Sequence, residues 1–199
     1  MTETTLNDPR PAYAAATAWL TTLMRAVTPD QLDDPTPCTE YDVRALSAHL
    51  VMTARRAATI AEGGDILAVT TDPDVFGAQD YADAATRAVE LWADDALLTT
   101  PVIVPWGEAP GAGALWGYVQ ETLVHGWDLA VATGQNPEAD PALVAPAQVF
   151  AERFIPAAIR ADEVVPFGAV VTPRAEAGPT ERLANWTGRE SRTWVTTSA

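Results

Sequence analysis

Histidine occurs at only two positions, His49 and His125, and the second closes the run Glu121-Thr122-Leu123-Val124-His125. On a helix, residues four apart stack on one face with Cβ atoms about 6 Å apart. A carboxylate and an imidazole so spaced can grip one divalent cation, and His49 on a neighbouring helix can add a third ligand. Three protein ligands with one coordination position left open is the pattern of a catalytic metal rather than a structural one. Helical E-x-x-x-H pairs also arise by chance, with Glu facing water and His packed at an edge. The elements that carry these residues therefore decide the matter.

The segment from Ala12 to Val27 repeats Tyr13, Ala16, Leu20, Leu23 and Val27 at spacings of three and four, which predicts an amphipathic helix. Pro29 and the run Asp33-Asp34-Pro35-Thr36-Pro37 break it. Thr39 followed by Asp42 resembles a capping box, with Asp in place of the usual Glu. A second helix is expected from about Glu40 to Glu62, with Val43, Leu46, Leu50, Thr53, Ala57 and Ile60 buried and Gly63-Gly64 ending it. His49 lies at the edge of that stripe. A third helix is expected over Gln79–Leu98, using Ala84, Ala88, Leu91, Trp92 and Leu98.

Pro101 to Trp106 reads as an extended segment, followed by a loop from Gly107 to Gly113. A fourth helix, roughly Ala114–Thr133, carries Glu121 and His125, with Leu115, Val119, Thr122, Gly126 and Leu129 near its inner face. Gly126 allows a neighbour to approach closely. Asp140-Pro141 opens a fifth helix expected to reach about Ala161, kinked near Pro146 and Pro156. Val164–Val171 reads as a short strand or extended arm, and Thr180–Gly188 as a last short helix. This pattern predicts an all-α fold, a four-helix bundle with a short C-terminal extension of mixed helix and strand. One domain is expected over residues 1–199, with a metal-binding bundle in 1–140 and a C-terminal helix and extension in 141–199.

Composition narrows the chemistry. Twelve basic residues, all arginine, stand against 27 acidic ones, for a net charge of −15. Such a field repels phosphate backbones and anionic membranes, so neither nucleic acid nor membrane is an expected partner. The absence of lysine excludes Schiff-base and P-loop lysine chemistry. A single cysteine, no leader-like N-terminus and no run of 18 apolar residues fit a soluble cytoplasmic protein. No Gly-rich motif of useful quality suggests a nucleotide, nicotinamide or flavin.

Two stretches carry a family likeness. Thr36-Pro37-Cys38-Thr39-Glu40-Tyr41-Asp42-Val43-Arg44-Ala45-Leu46-Ser47-Ala48-His49-Leu50 resembles the opening signature of the DinB-like, mycothiol-dependent maleylpyruvate isomerase-like family. Val124-His125-Gly126-Trp127-Asp128-Leu129-Ala130 resembles its second signature, and Val165-Pro166-Phe167-Gly168 with Thr180–Gly188 its C-terminal region. The resemblance implies a four-helix bundle holding a divalent metal, zinc foremost with nickel or iron as alternatives, through His49, Glu121 and His125. It also implies mycothiol as a thiol cofactor attacking a small electrophilic substrate, in an isomerisation or a thiol transfer. Bundles of this kind often pair, so a homodimer is an expectation. Tyr41 stands where the family more often has Trp, a departure expected to leave the ligands untouched.

Other residues have two readings each. Asp128 shares the face of Glu121 and His125. It is either an acceptor that fixes the imidazole, or a weak ligand, or else a surface acid paired with an arginine. Arg55 and Arg56, one to two turns after His49, either hold an acidic substrate or thiol cofactor or line a solvated face. Cys38 is expected at the bundle end, about three turns from His49, as a packed thiol and not a nucleophile. Trp106, Trp116, Tyr118 and Trp127 either line a pocket above the metal or fill the core. The same site also admits thiol-free hydrolase, lyase or cyclase chemistry, or metal binding without turnover.

Overall fold

Tyr13, Ala16, Leu20 and Leu23 line the buried side of α1 (Arg10–Ala26), as their spacing requires. The structure, a computed structural model, describes residues 8–105, 107–161 and 166–195. Helix α2 (Val43–Ala61) buries every residue of the expected stripe from Val43 to Ile60. It begins later than the sequence suggests. Asp42, not Thr39, is the cap, its carboxylate accepting from Ala45 N at 2.7 Å. The preceding residues fold into a turn instead, with Thr36 Oγ1 donating to the carbonyls of Tyr41 at 2.7 Å and Cys38 at 3.0 Å.

The expected third helix is two. Helix α3 (Ala78–Leu91) stops at Trp92, and Asp94 caps a separate α4 (Asp95–Thr99) by accepting from Ala96 N. Trp92 is the cause: its buried indole donates to Ala57 O at 2.9 Å, which anchors the chain on α2 and turns it. The extended segment pairs as well. Strand β1 (Pro101–Val104) forms an antiparallel hairpin with β2 (Gly107–Pro110), so the expected loop is half of a ribbon.

Helix α5 (Gly111–Ala132) is buried on every face, not one. Helices α1 and α2 pack on it, and α3 closes the ring by packing on both α1 and α2. This is the four-helix bundle. On the other side of α5 lie α6 (Pro141–Phe154) and α7 (Pro179–Trp186), with α4 and the hairpin at its start. A helix enclosed all round has a nearly continuous apolar surface and little amphipathic signal. Gly126 is where α1 comes closest: a Cβ there would stand 2.2 Å from Trp19 Cζ3.

Asp140 caps α6 as expected, and Pro146 lies within it, but the helix ends at Phe154 ahead of Pro156 and only a 3-10 turn, Ala157–Ala161, continues. No strand forms in residues 166–178, although Val171 N donates to Asn185 O at 3.0 Å. Val164 and Val165 lie outside the described residues. Helix α7 is held at its start by Glu138, whose carboxylate accepts from Thr180 N at 2.9 Å and Glu181 N at 3.1 Å. Among the described residues, no helix is long and apolar enough to cross a membrane.

Candidate metal centre

The stripe that buries Leu46 and Leu50 turns His49 toward α5, where Glu121 and His125 stand one helical turn apart. His49 Nε2 lies 3.2 Å from Glu121 Oε1, and the two imidazole rings meet edge to face with centroids 5.0 Å apart. Donor atoms of His49, Glu121 and His125 all lie within 4.8 Å of one another. Ligands at about 2.0–2.2 Å from a tetrahedral ion stand roughly 3.3–3.6 Å apart. The observed triad therefore needs only a small contraction to close on a cation, and its two nitrogens and one carboxylate are a donor set that zinc, nickel, iron and cobalt accept.

Both imidazoles have partners on their far edges. His125 Nδ1 lies 3.0 Å from Asp128 Oδ2. Because Asp128 is an acceptor, Nδ1 carries the proton and Nε2 keeps the free lone pair. Tyr41 stacks on His49 with its hydroxyl 3.4 Å from Nδ1. Tyr41 is thus in contact with the triad, and the three expected ligand residues still come together beside it.

Asp128 is the acceptor of the first reading and has the arginine partner of the second, but it is buried and not at the surface. It holds His125, and it forms a buried ion pair with Arg189, whose Nη2 and Nε donate to Oδ2 at 3.0 and 3.2 Å. The Asp128 side chain is 0% exposed and that of Arg189 only 14%.

Electrostatics favour the ligand-competent forms. Burial pushes the Glu121 carboxyl up, but the hydrogen bond and charge of His49, with His125 and Arg56, outweigh it and hold the group below its ordinary value. Burial pulls His125 down, only partly offset by Asp128, so the ring is neutral and able to coordinate. Asp128 is pushed up by burial and brought down further by the charge of Arg189 and the hydrogen bond of His125, and remains ionised.

The remaining candidates divide. Arg55 is exposed and takes no part in this cluster, whereas Arg56 is half-buried, donates from Nε to Val69 O at 3.0 Å, and is the arginine whose charge reaches Glu121. Cys38 is not remote at a bundle end. The Thr36–Tyr41 turn folds it back so that Sγ lies within 4.8 Å of donor atoms of His125 and Asp128. Burial pushes its thiol up, with Arg189 opposing. A Cys38–His125–Asp128 grouping is a poor cation site, because Arg189 and His125 already occupy the Asp128 carboxylate.

Trp116 stacks on Phe150 and Trp127 is fully buried, so both are core; Trp106 lies outside the described residues. Tyr118 is buried near the centre, as is Tyr13, and both phenols are pushed up, first by burial and then by the charge of Glu121. Sequence reasoning missed Tyr13 here, and it missed Arg189. The only signal for Arg189 was an arginine following the glycine that ends the expected last helix.

The fold and this triad define an all-α, DinB-like helical bundle with a candidate divalent-metal centre between α2 and α5. The model of the mycothiol maleylpyruvate isomerase N-terminal domain matches residues 13–130, and the chain belongs to that family. The match spans α1 to α5 up to Ala130, and with them all three triad residues. Two relatives are uncharacterized proteins of Mycobacterium tuberculosis, from strains CDC 1551 / Oshkosh and ATCC 25618 / H37Rv. Each is 31% identical over 189 residues, covering 93% of this chain and 100% of the relative. No solved structure gives a significant match.

Proposed function

We propose that this chain is a divalent-metal enzyme, with zinc as the metal, that uses mycothiol to isomerise a small electrophile or to transfer the thiol onto it. The observation that carries the reading is the convergence of His49, Glu121 and His125, with Asp128 behind one imidazole. A divalent ion held there supplies a positive centre that keeps a coordinated thiol in its thiolate form.

The protein's own residues would do the rest. His49 and His125 would each present a ring nitrogen, and Glu121 would offset one unit of the metal's charge. Asp128 fixes the His125 ring, so its lone pair does not rotate away. Tyr41 steadies His49 by stacking. Arg56 adds positive charge beside Glu121, where an acidic group on the substrate or thiol is attracted. Buried Tyr13 and Tyr118 exclude bulk water behind the carboxylate.

The test is elemental analysis of purified protein, followed by incubation of metal-loaded protein with electrophilic substrates, with and without mycothiol. Thiol-dependent isomerisation or thioether formation supports the reading. Full turnover without thiol overturns the mycothiol part and leaves a thiol-free hydrolase, lyase or cyclase. Bound metal with four protein ligands and no turnover points to a binding protein.

A further inference from the structure

The family match ends at residue 130, yet the back of the triad is closed by a residue far beyond it. Arg189 places two donors on Asp128, at 3.0 and 3.2 Å to Oδ2, and the same oxygen lies 3.0 Å from His125 Nδ1. A carboxylate with no exposure cannot be oriented by water, so its donors alone set its plane. Most of them belong to Arg189.

Arg189 is in turn fixed by the arm that carries it. Its backbone N donates to Ala184 O at 3.0 Å, and its carbonyl accepts from Asn185 Nδ2 at 2.8 Å, an amide that also meets Ser191 Oγ at 3.0 Å. Gly188 makes the reversal at φ +99°, close against Gly168, where a Cβ would stand 2.7 Å from the Gly168 Cα. Asn185 and Ser191 are both buried. The guanidinium is therefore delivered to α5 by a docked segment, not by a free tail.

We propose that Arg189 is a positioning residue that couples docking of the C-terminal arm to metal retention, acting through Asp128 on His125. The inference rests on the metal reading above. With the arm docked, the guanidinium fork pins the Asp128 carboxylate against Nδ1 and aims Nε2 at the ion. With the arm released, the carboxylate loses its fork and the ring its fixed acceptor. Coupling of this kind is reciprocal, so bound metal tightens the arm as much as the arm tightens the metal.

The experiment uses the full chain and zinc, with affinity read by competition against a chromophoric chelator. Loss of a partner that orients a ligand typically weakens metal binding about 10- to 100-fold. Arg189→Ala is expected to lose that much. Arg189→Lys should recover part of it, because a single ammonium restores charge without the fork. Arg192→Ala, at an exposed neighbour, should match wild type. In wild type, zinc should also slow amide exchange over residues 184–191.

A folded Arg189→Ala variant with wild-type zinc affinity overturns the inference and leaves the metal reading intact. Should that variant fail to fold, the wild-type exchange experiment decides, and arm amides indifferent to zinc overturn the coupling. Wild-type protein that takes up no zinc overturns both.

Discussion

Replacing Asp128 by Asn keeps the shape of the side chain and removes its charge. The partner then becomes the difficulty: Arg189 is 14% exposed and would keep a buried positive charge with no counter-ion. Removing one member of a buried pair costs about 3–5 kcal/mol. The residual exposure of Arg189 places the expected loss near the lower end, about 3 kcal/mol. That is a large part of the roughly 5–15 kcal/mol that holds a typical protein folded. For a chain of this size it corresponds to a melting temperature lower by about 6–12 °C. Arg189→Met in the same chain removes the orphaned charge, so the double variant should recover at least about 1 kcal/mol relative to the sum of the two single losses. Urea unfolding of metal-free protein, followed by tryptophan fluorescence, measures all four corners of the cycle. Zinc affinity should stay low in the double variant, because His125 still lacks its anionic partner. A coupling energy below about 0.5 kcal/mol would refute the reasoning, since it would mean that the two groups do not depend on each other.

His49→Ala, Glu121→Ala and His125→Ala should each leave the purified protein with little or no bound divalent metal, checked by elemental analysis after equal loading. In wild type, zinc at about 100 times its dissociation constant should raise stability by about 2.7 kcal/mol, visible as a thermal shift that the three variants lack. Gly126→Ala places a Cβ 2.2 Å from Trp19 Cζ3 and should cost about 1–3 kcal/mol in denaturant melts, with Trp19→Leu relieving much of it. Stability of the metal-free protein should fall as the solution is acidified. His125 lies below its ordinary 6.5 in the folded state, so unfolding takes up a proton and becomes easier below that pH. Glu121 and Asp128, held below 4.5 and 3.8, add a second and steeper loss at lower pH, and pH-dependent unfolding curves that stay flat from 7 to 4 would contradict these assignments.

The triad was legible because it depends on local periodicity. Glu121 and His125 need only a helix to stand together, and His49 needs only its place beside Leu50. Adjacent positions are harder to separate: Arg55 and Arg56 differ by about 100° around the helix, so a small error of phase exchanges an exposed residue for one near Glu121. The break after Leu91 depends on an indole reaching Ala57, a tertiary contact with no local trace. Pairing of Gly107–Pro110 depends on a partner strand, not on its own weakly strand-forming residues. Cys38 was misplaced because extrapolating a helix backwards from His49 ignored the turn that Thr36 closes. Arg189 is 61 residues from Asp128, and an arginine that ends in a buried ion pair looks in sequence like any surface arginine.

Helix α5 unites two duties that many proteins keep apart. It carries Glu121 and His125, and it is also the post against which most other elements rest. Its backbone is thereby immobilised from several directions, so the spacing of Glu121 and His125 along it is rigid by construction, and only the His125 ring is left to be set from the C-terminal arm. The same arrangement restricts where novelty can enter. A change along Leu115–Leu129 disturbs cohesion and chemistry together, and so does one at Arg189, whereas the connection before α3 and the parts of the C-terminal arm away from Arg189 can be remodelled around an unaltered centre. New substrates for such a scaffold should therefore arise by rebuilding the rim while the post stays as it is.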